Sequence, residues 1–530
     1  MTETVSKLTF QGLFYGSCSA FPQNPLIVGA HDRTVFTYSE VAERVERIAA
    51  LLTGLGIKKS ETVVSCSPVS VESVLLCWAC LIQGLVFIPV DHDWPQSLIG
   101  HVIDQTSPGL ILTDNKRFRR MGNLVNRDKI LLYGEADPAQ GIFGFYEAMA
   151  GCRDRKPFPL EPAAPDDLAV VLYTSGSTGK PKGVMLSQHA LLNSGRLISD
   201  CFRWEPQDRF MNLGDLHSMS GLRNTCIAPL IQGASLLVAD LEDRRNVLAM
   251  IDRIQEFSIT FLGVAPTMVR QMALVASPSR KARLSSLKAV LSTGAGLSQE
   301  ALRLFYAAYG IPVLNYYGLT ETAGICTAHT VDTFSPTDVS IGRPVGANIT
   351  LARDLDLSRP GDVGELLVDS DNVMLGYYGN DLETASILKN RIIHTGDLAR
   401  IRPDGCYELV GRKTNAVNTI SSERIYLEEI EGALEACPEV QEACACRYLK
   451  AKDDERIVAF VVPAGDFPEP AQGFIDHLKK NLIDLLGKNR VPWFYYIETR
   501  LPRITTGKIN RQALKERLDD NLRLQRRRYF

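Results

Sequence analysis

Short, continuously apolar runs alternate along this chain with stretches of helical period. Leu168-Ala169-Val170-Val171-Leu172 is apolar throughout and rich in Val, which predicts a buried strand. Thr34 to Tyr38 also reads as a strand. The helical spacing of Val41, Val45, Ile48, Ala49 and Leu52 predicts an amphipathic helix after it. Glu61 to Val90 continues as strand, helix, strand, and Leu110 to Thr113 adds another strand. This alternation predicts a mostly parallel, covered sheet. Pro157, Pro159, Pro162 and Pro165 mark a linker, and Ser187 is a candidate N-cap for a helix that follows. Alternation resumes through residues 209–313, and Gly364 to Val368 and Val373 to Tyr377 then read as strands of a smaller β unit.

After Arg412 the pattern becomes compact, with a helix at 427–436, a strand at 456–462, a helix at 473–486 and a strand at 495–499. The expected division is 1–411 and 412–530. The run Arg526 to Phe530 reads as a solvated, frayed end.

Composition narrows this picture. A chain of 530 residues exceeds one ordinary core, so two or more domains are expected. A hydrophobic content of 45% with 22% charged residues is that of a water-soluble globular protein. A net charge of −3 offers no bulk attraction to nucleic acid or membrane. Val71 to Val90 is the most apolar region, but Glu72, Gln83, Gly84 and Pro89 interrupt it, which favours helix–turn–strand over a membrane span. The first residues lack the basic-then-apolar pattern of a secretory leader. Cys77 and Cys80 sit in an apolar helical run, and Cys444 and Cys446 alternate as in a strand; both pairs read as buried thiols. A reduced, cytoplasmic location is expected.

The chemistry begins directly after Leu172. Tyr173-Thr174-Ser175-Gly176-Ser177-Thr178-Gly179-Lys180-Pro181-Lys182-Gly183 places small hydroxylated residues, three glycines and two lysines behind a strand. Such a segment can wrap backbone N–H groups and hydroxyls around phosphate oxygens. It is not a Walker loop, because Pro181 follows Gly179-Lys180 where Ser or Thr should open a helix. The stretch instead resembles the phosphate loop of the adenylate-forming superfamily: acyl- and aryl-CoA synthetases, peptide-synthetase adenylation domains and beetle luciferases.

Further motifs extend the resemblance from about residue 10 to 515. Tyr316-Tyr317-Gly318-Leu319-Thr320-Glu321 is similar to the family's Tyr-Gly-x-Thr-Glu. The resemblance implies that Tyr316, Tyr317 and Gly318 meet the nucleotide, with Tyr317 stacking on adenine. It also implies that Thr320 donates to the α-phosphate and that Glu321 holds Mg²⁺ with Thr174 nearby. Oxygen ligands suit that cation. Ser292 to Leu297 resembles the adenine-flanking turn, with Gly294 and Ala295 in place and Gly296 where Pro is usual. Asp397, in His394-Thr395-Gly396-Asp397, would accept both ribose hydroxyls with help from Arg412. Lys508, in a C-terminal Thr-Gly-Lys motif, would offset charge growing at the α-phosphate. His217 resembles the gate beside the substrate carboxylate. Arg223 reads as a surface or subdomain salt bridge, with contact to a second polar group on the substrate as the alternative.

The implied fold is α/β: a large N-terminal domain of two α/β subdomains plus a β-barrel-like subdomain, and a small mobile C-terminal α+β domain. The implied reaction joins a small carboxylic acid to ATP, with Mg²⁺, as acyl-adenylate and pyrophosphate. The acyl group then passes to CoA or to a carrier-protein pantetheine. A nucleotide-binding protein without catalysis is a third reading, and a luciferase-type oxygenase would share every motif. The chain departs from the family at Ser421 and Ser422, where glycines usually line the pantetheine path, and at Thr414. That departure bears on the thioester step.

Overall fold

In this computed structural model the described residues are 9–121, 124, 129–133, 143–152, 163–174, 181–352, 363–418, 424–451, 454–465, 471–487, 490–503 and 508–526. The apolar runs become strands buried on both faces, which is why they do not alternate. Val170, Val171 and Leu172 have no exposed surface. They lie in the strand Leu168–Thr174, within an eight-stranded sheet. Its parallel core pairs Thr62–Cys66 with Val86–Pro89 and with Leu110–Asp114. The helix Val71–Ile82, which carries Cys77 and Cys80, packs into the core with both thiols buried.

A second sheet has nine strands, parallel across Arg209–Asn212, Phe261–Val264, Ala289–Ser292 and Val313–Tyr317. The early strand Pro25–Gly29 joins this sheet through Ser235–Val238, more than two hundred residues away in sequence, not the sheet of its neighbours. A third sheet, of five antiparallel strands, contains Gly364–Asp369, Ile392–Ile401 and Tyr407–Arg412. This is the smaller β unit. Beyond Arg412 lie a two-stranded ribbon and a sheet of Val440–Ala451, Asp454–Pro463 and Phe494–Ile497, covered by the helices Leu427–Glu435, Ala471–Leu486 and Arg511–Arg526.

Several expectations are revised. Tyr38 opens the helix Tyr38–Gly54, because Thr37 caps it through a reciprocal bond with Glu40. Residues after the phosphate loop form a strand, Lys182–Ser187, pairing antiparallel with Leu168–Thr174; no strand was expected there. Of the expected strand at Val373 to Tyr377, only Gly376–Tyr377 is extended and paired. It adds to the eight-stranded sheet beside Met185 and Val184. Ser187 caps the helix Gln188–Cys201, accepting from the Ala190 N–H.

Candidate active site

The strand Val313–Tyr317 delivers two tyrosines to opposite faces. Tyr316 is buried, and its hydroxyl accepts from Arg223 and Asn224, so its side chain belongs to the interior. Tyr317 points the other way and donates its hydroxyl to Asp397 Oδ2 at 2.7 Å. Gly318 follows because the chain folds tightly back on itself. A Cβ there would lie 2.4 Å from the Gly324 carbonyl carbon. The turn continues as one 3₁₀ unit, Thr320–Thr322. Glu321 Oε1 accepts from the Tyr377 hydroxyl at 2.7 Å, and the Glu321 carbonyl accepts from the Met374 N–H.

Asp397 is the hub. It is 5% exposed and sits on the strand Ile392–Ile401 after Gly396, whose φ of +70° is the left-handed conformation that glycine tolerates. Arg412, paired directly opposite in the next strand, donates Nε to Asp397 Oδ1 at 2.6 Å. Each carboxylate oxygen holds one donor and keeps further lone-pair capacity. The Asp397 charge raises the Arg412 pKa, and burial together with Asp397 pushes the Tyr317 phenol well up.

Lys508 comes from the far end of the chain. Its neighbour Ile509 pairs antiparallel with Arg503, and Arg511 just beyond is anchored on Glu431. Burial of its ammonium lowers the Lys508 pKa, Arg412 adds to the effect, and Asp397 and Glu321 oppose it. The residue as a whole remains exposed, so the desolvation is local to the ammonium's surroundings. All three partners are therefore within electrostatic reach of this lysine.

Thr174 ends its strand with its hydroxyl 3.5 Å from the Lys182 carbonyl. Lys182 is held by Glu383 and lies 5.6 Å from the Tyr377 ring centroid. Its ammonium is thus paired with a carboxylate in this structure. Ser175, Gly176, Ser177, Thr178, Gly179 and Lys180 lie outside the described residues, as do Ser421 and Ser422. Gly294 and Ala295 are exposed just past the strand Ala289–Ser292, and a Cβ on Gly294 would meet no heavy atom within 4 Å. That open surface can accept a flat ring.

His217 faces Asp91, Nε2 to Oδ2, at 3.8 Å. Asp215 is paired with Arg244 at 2.8 Å, which accounts for its lowered pKa against burial. Arg223 is completely buried, and no carboxylate among the described residues pairs with it, contrary to the expected surface or subdomain salt bridge. Tyr377 and Glu383 were not anticipated. Their part follows from pairing between distant strands, and no local motif signals it.

A family model described as AMP-binding enzyme matches residues 14–378, and one described as AMP-binding enzyme C-terminal domain matches residues 429–508. The chain belongs to the AMP-binding enzyme family. Among the relatives of these AMP-binding enzymes, tyrocidine synthase 2 of Brevibacillus parabrevis is 27% identical over 96% of this chain. The chain spans 13% of that protein's length. Sulfoacetate–CoA ligase of Cupriavidus necator is 27% identical, over 96% of this chain and 97% of the ligase. Among solved structures, the anthranilate CoA ligase AuaEII in complex with anthranoyl-AMP superposes with a TM-score of 0.87, 21% identity and coverage of 97% and 98%. The AMP-binding fold, with its large N-terminal and small C-terminal parts, is thus shown for this chain. Among the described residues no helix is long and apolar enough to cross a membrane.

Proposed function

We propose that this enzyme is an ATP-dependent carboxylic acid ligase that ends with a thioester. The observation that carries the reading is the convergence on Asp397. Tyr317 and Arg412 hold its two oxygens, and Lys508, from the small C-terminal part, lies within reach of the same group. A prepared ribose acceptor beside a movable cation suits attack at an α-phosphorus.

In the first step a carboxylate oxygen of the acid bonds to the α-phosphorus of ATP. The bond from that phosphorus to the bridging oxygen breaks, and pyrophosphate leaves with the electron pair. Asp397 holds the ribose, Gly294 and Ala295 border the base, and Tyr317 stays fixed by Asp397. Thr320 donates to the α-phosphate. Lys508 neutralises charge on the attacking and phosphoryl oxygens, which costs no reorganisation if it is already in place. Glu321 fits a magnesium site, because one carboxylate oxygen is fixed by Tyr377 and the group is a hard donor at the end of the turn. Thr174 would stand near that ion, which supplies charge neutralisation on the phosphates. Ser175 to Lys180 would wrap the phosphates. In the second step a thiol sulfur bonds to the acyl carbon, the carbon–oxygen bond to AMP breaks, and AMP leaves. His217 would border the entering acyl group.

The two parts, 1–411 and 412–530, would hinge at Arg412. CoA is the acceptor we favour, supported by the end-to-end likeness to sulfoacetate–CoA ligase. A carrier-protein pantetheine is the second reading, supported by the likeness to tyrocidine synthase 2. A cytoplasmic setting fits twelve cysteines that are all unpaired. The test is pyrophosphate release across a panel of carboxylic acids. The best acid is then assayed with CoA and with a pantetheinylated carrier protein. Absence of acid-dependent pyrophosphate release across the panel would refute ligase activity.

A further inference from the structure

Arg223 is among the largest fully buried side chains of the described residues, with no exposed surface. Burial lowers its pKa, and among the described residues no carboxylate offsets its charge. An unpaired buried guanidinium is costly to keep. Its donors instead go to three neutral acceptors: Nε to Asn224 Oδ1 at 2.9 Å, Nη1 to the Ala323 carbonyl at 3.3 Å and Nη2 to the Tyr316 hydroxyl at 3.1 Å. It also lies over the Tyr316 ring, 5.4 Å from the centroid.

The Ala323 carbonyl is the telling partner. Ala323 closes the turn that presents Thr320 and Glu321, and it does so at a φ of +51°, a left-handed value that alanine adopts only when held. Ser194 Oγ donates to the same carbonyl at 2.7 Å. Gly324 follows at φ +87°, and a Cβ there would sit 2.8 Å from Arg223 Nη1, so the turn rests directly on the guanidinium. Arg223 opens a π-helical turn, Arg223–Ile227, a local widening that re-aims side chains and recurs at functional sites.

We propose that Arg223 is a positioning residue. It pins the Ala323 carbonyl and the Tyr316 hydroxyl, and so fixes the direction in which the turn points Glu321. This rests on the adenylate-forming reading above, in which Glu321 holds the metal. Loosening the pin should therefore impair metal coupling before it impairs nucleotide binding itself.

The test is calorimetric titration of ATP with and without Mg²⁺, on wild type, Arg223→Met, Arg223→Lys and Ser194→Ala, with circular dichroism to confirm folding. Wild type should bind ATP more tightly with Mg²⁺. Arg223→Met should lose at least fivefold of that tightening while its Mg²⁺-free affinity stays within twofold. Arg223→Lys and Ser194→Ala should lose less, because each keeps a cation beside the Ala323 carbonyl, whereas Arg223→Met keeps only the Ser194 hydroxyl there. In pyrophosphate exchange Arg223→Met should lower kcat at least tenfold with little change in the KM for ATP. Full Mg²⁺ tightening in a folded Arg223→Met overturns the proposal. If that variant does not fold, wild-type tightening in both Arg223→Lys and Ser194→Ala overturns it. A wild type that binds no ATP at all refutes the ligase reading instead, a separate outcome.

Discussion

At the residue scale, charge pairing around Asp397 makes the strongest claims. Its carboxylate would be the ribose acceptor, so Asp397→Ala should weaken ATP binding by about 1.5–3 kcal/mol, the worth of a hydrogen bond to a charged group. Equilibrium dialysis with labelled ATP measures this directly, and an unchanged Kd refutes the assignment. Lys508 makes a second claim. Its pKa lies below the ordinary lysine value of about 10.4, first through burial and then through Arg412. Its ammonium therefore loses a proton at lower pH than a free lysine does. A reaction that needs the charged form should decline on the alkaline side, starting below the normal lysine range. Lys508→Arg should move that decline upward, since arginine stays charged. If the alkaline limb of the pH–rate profile is the same in both, some other group sets it.

At the element scale, the 3₁₀ turn and the small sheet carry the argument. Gly318 has no room for a methyl group, with backbone atoms of Gly324 and Ile325 within 2.7 Å of a built Cβ. Gly318→Ala should cost roughly 1–3 kcal/mol by overpacking against atoms that cannot swing away, read as a lower midpoint in chemical denaturation. Retained stability would show that this turn can shift. In the helix Leu427–Glu435, burial pushes the Glu435 carboxyl up to about 7, with Glu431 and Glu442 adding repulsion while the Ala443 N–H and Arg270 oppose it. A carboxyl raised in the folded state contributes stability that is fully present below its unfolded pKa and is lost as pH rises toward 7. Glu435→Gln should remove this loss. It should be more stable than wild type near neutral pH by on the order of 1 kcal/mol, less than the full shift because the side chain keeps partial solvent access. Denaturation curves at pH 5 and pH 7.5 decide it: the gap should be wide at 7.5 and small at 5.

At the scale of the whole molecule, contacts between the small C-terminal part and the large one include Tyr426 packed with Leu398 and Val410 and a hydrogen bond from Arg270 to the Gln441 carbonyl, and Lys508 lies within electrostatic range of Asp397. If Lys508 serves only the first half-reaction, Lys508→Ala should nearly abolish pyrophosphate exchange. It should still convert a supplied acyl-adenylate and CoA to thioester at close to the wild-type rate. Equal losses in both half-reactions would mean that the lysine holds the molecule together and does not act on one step.

Much of this was legible from sequence because it depends on local chemistry. Short apolar runs such as Leu168 to Leu172 read as strands buried on both faces, and Ser187 as a helix cap, since those preferences are set largely by nearest neighbours. The resemblance of the motifs carrying Tyr317, Glu321, Asp397, Arg412 and Lys508 to one family's motifs grouped these residues as one candidate site, and the fold places Tyr317, Asp397 and Arg412 in hydrogen-bond contact. Tertiary structure decided the rest. Pro25–Gly29 chose the second sheet by pairing with Ser235–Val238, a contact that no local window contains. Tyr377 was brought to Glu321 by Gly376–Tyr377 pairing with Lys182–Ser187. Lys182 was claimed by Glu383, two hundred residues on. Arg223 was buried with no carboxylate paired to it among the described residues, where composition alone would place an arginine at the surface. Periodicity and motif chemistry act through neighbours in sequence, whereas pairing, burial and charge compensation are settled between segments that meet only in the fold.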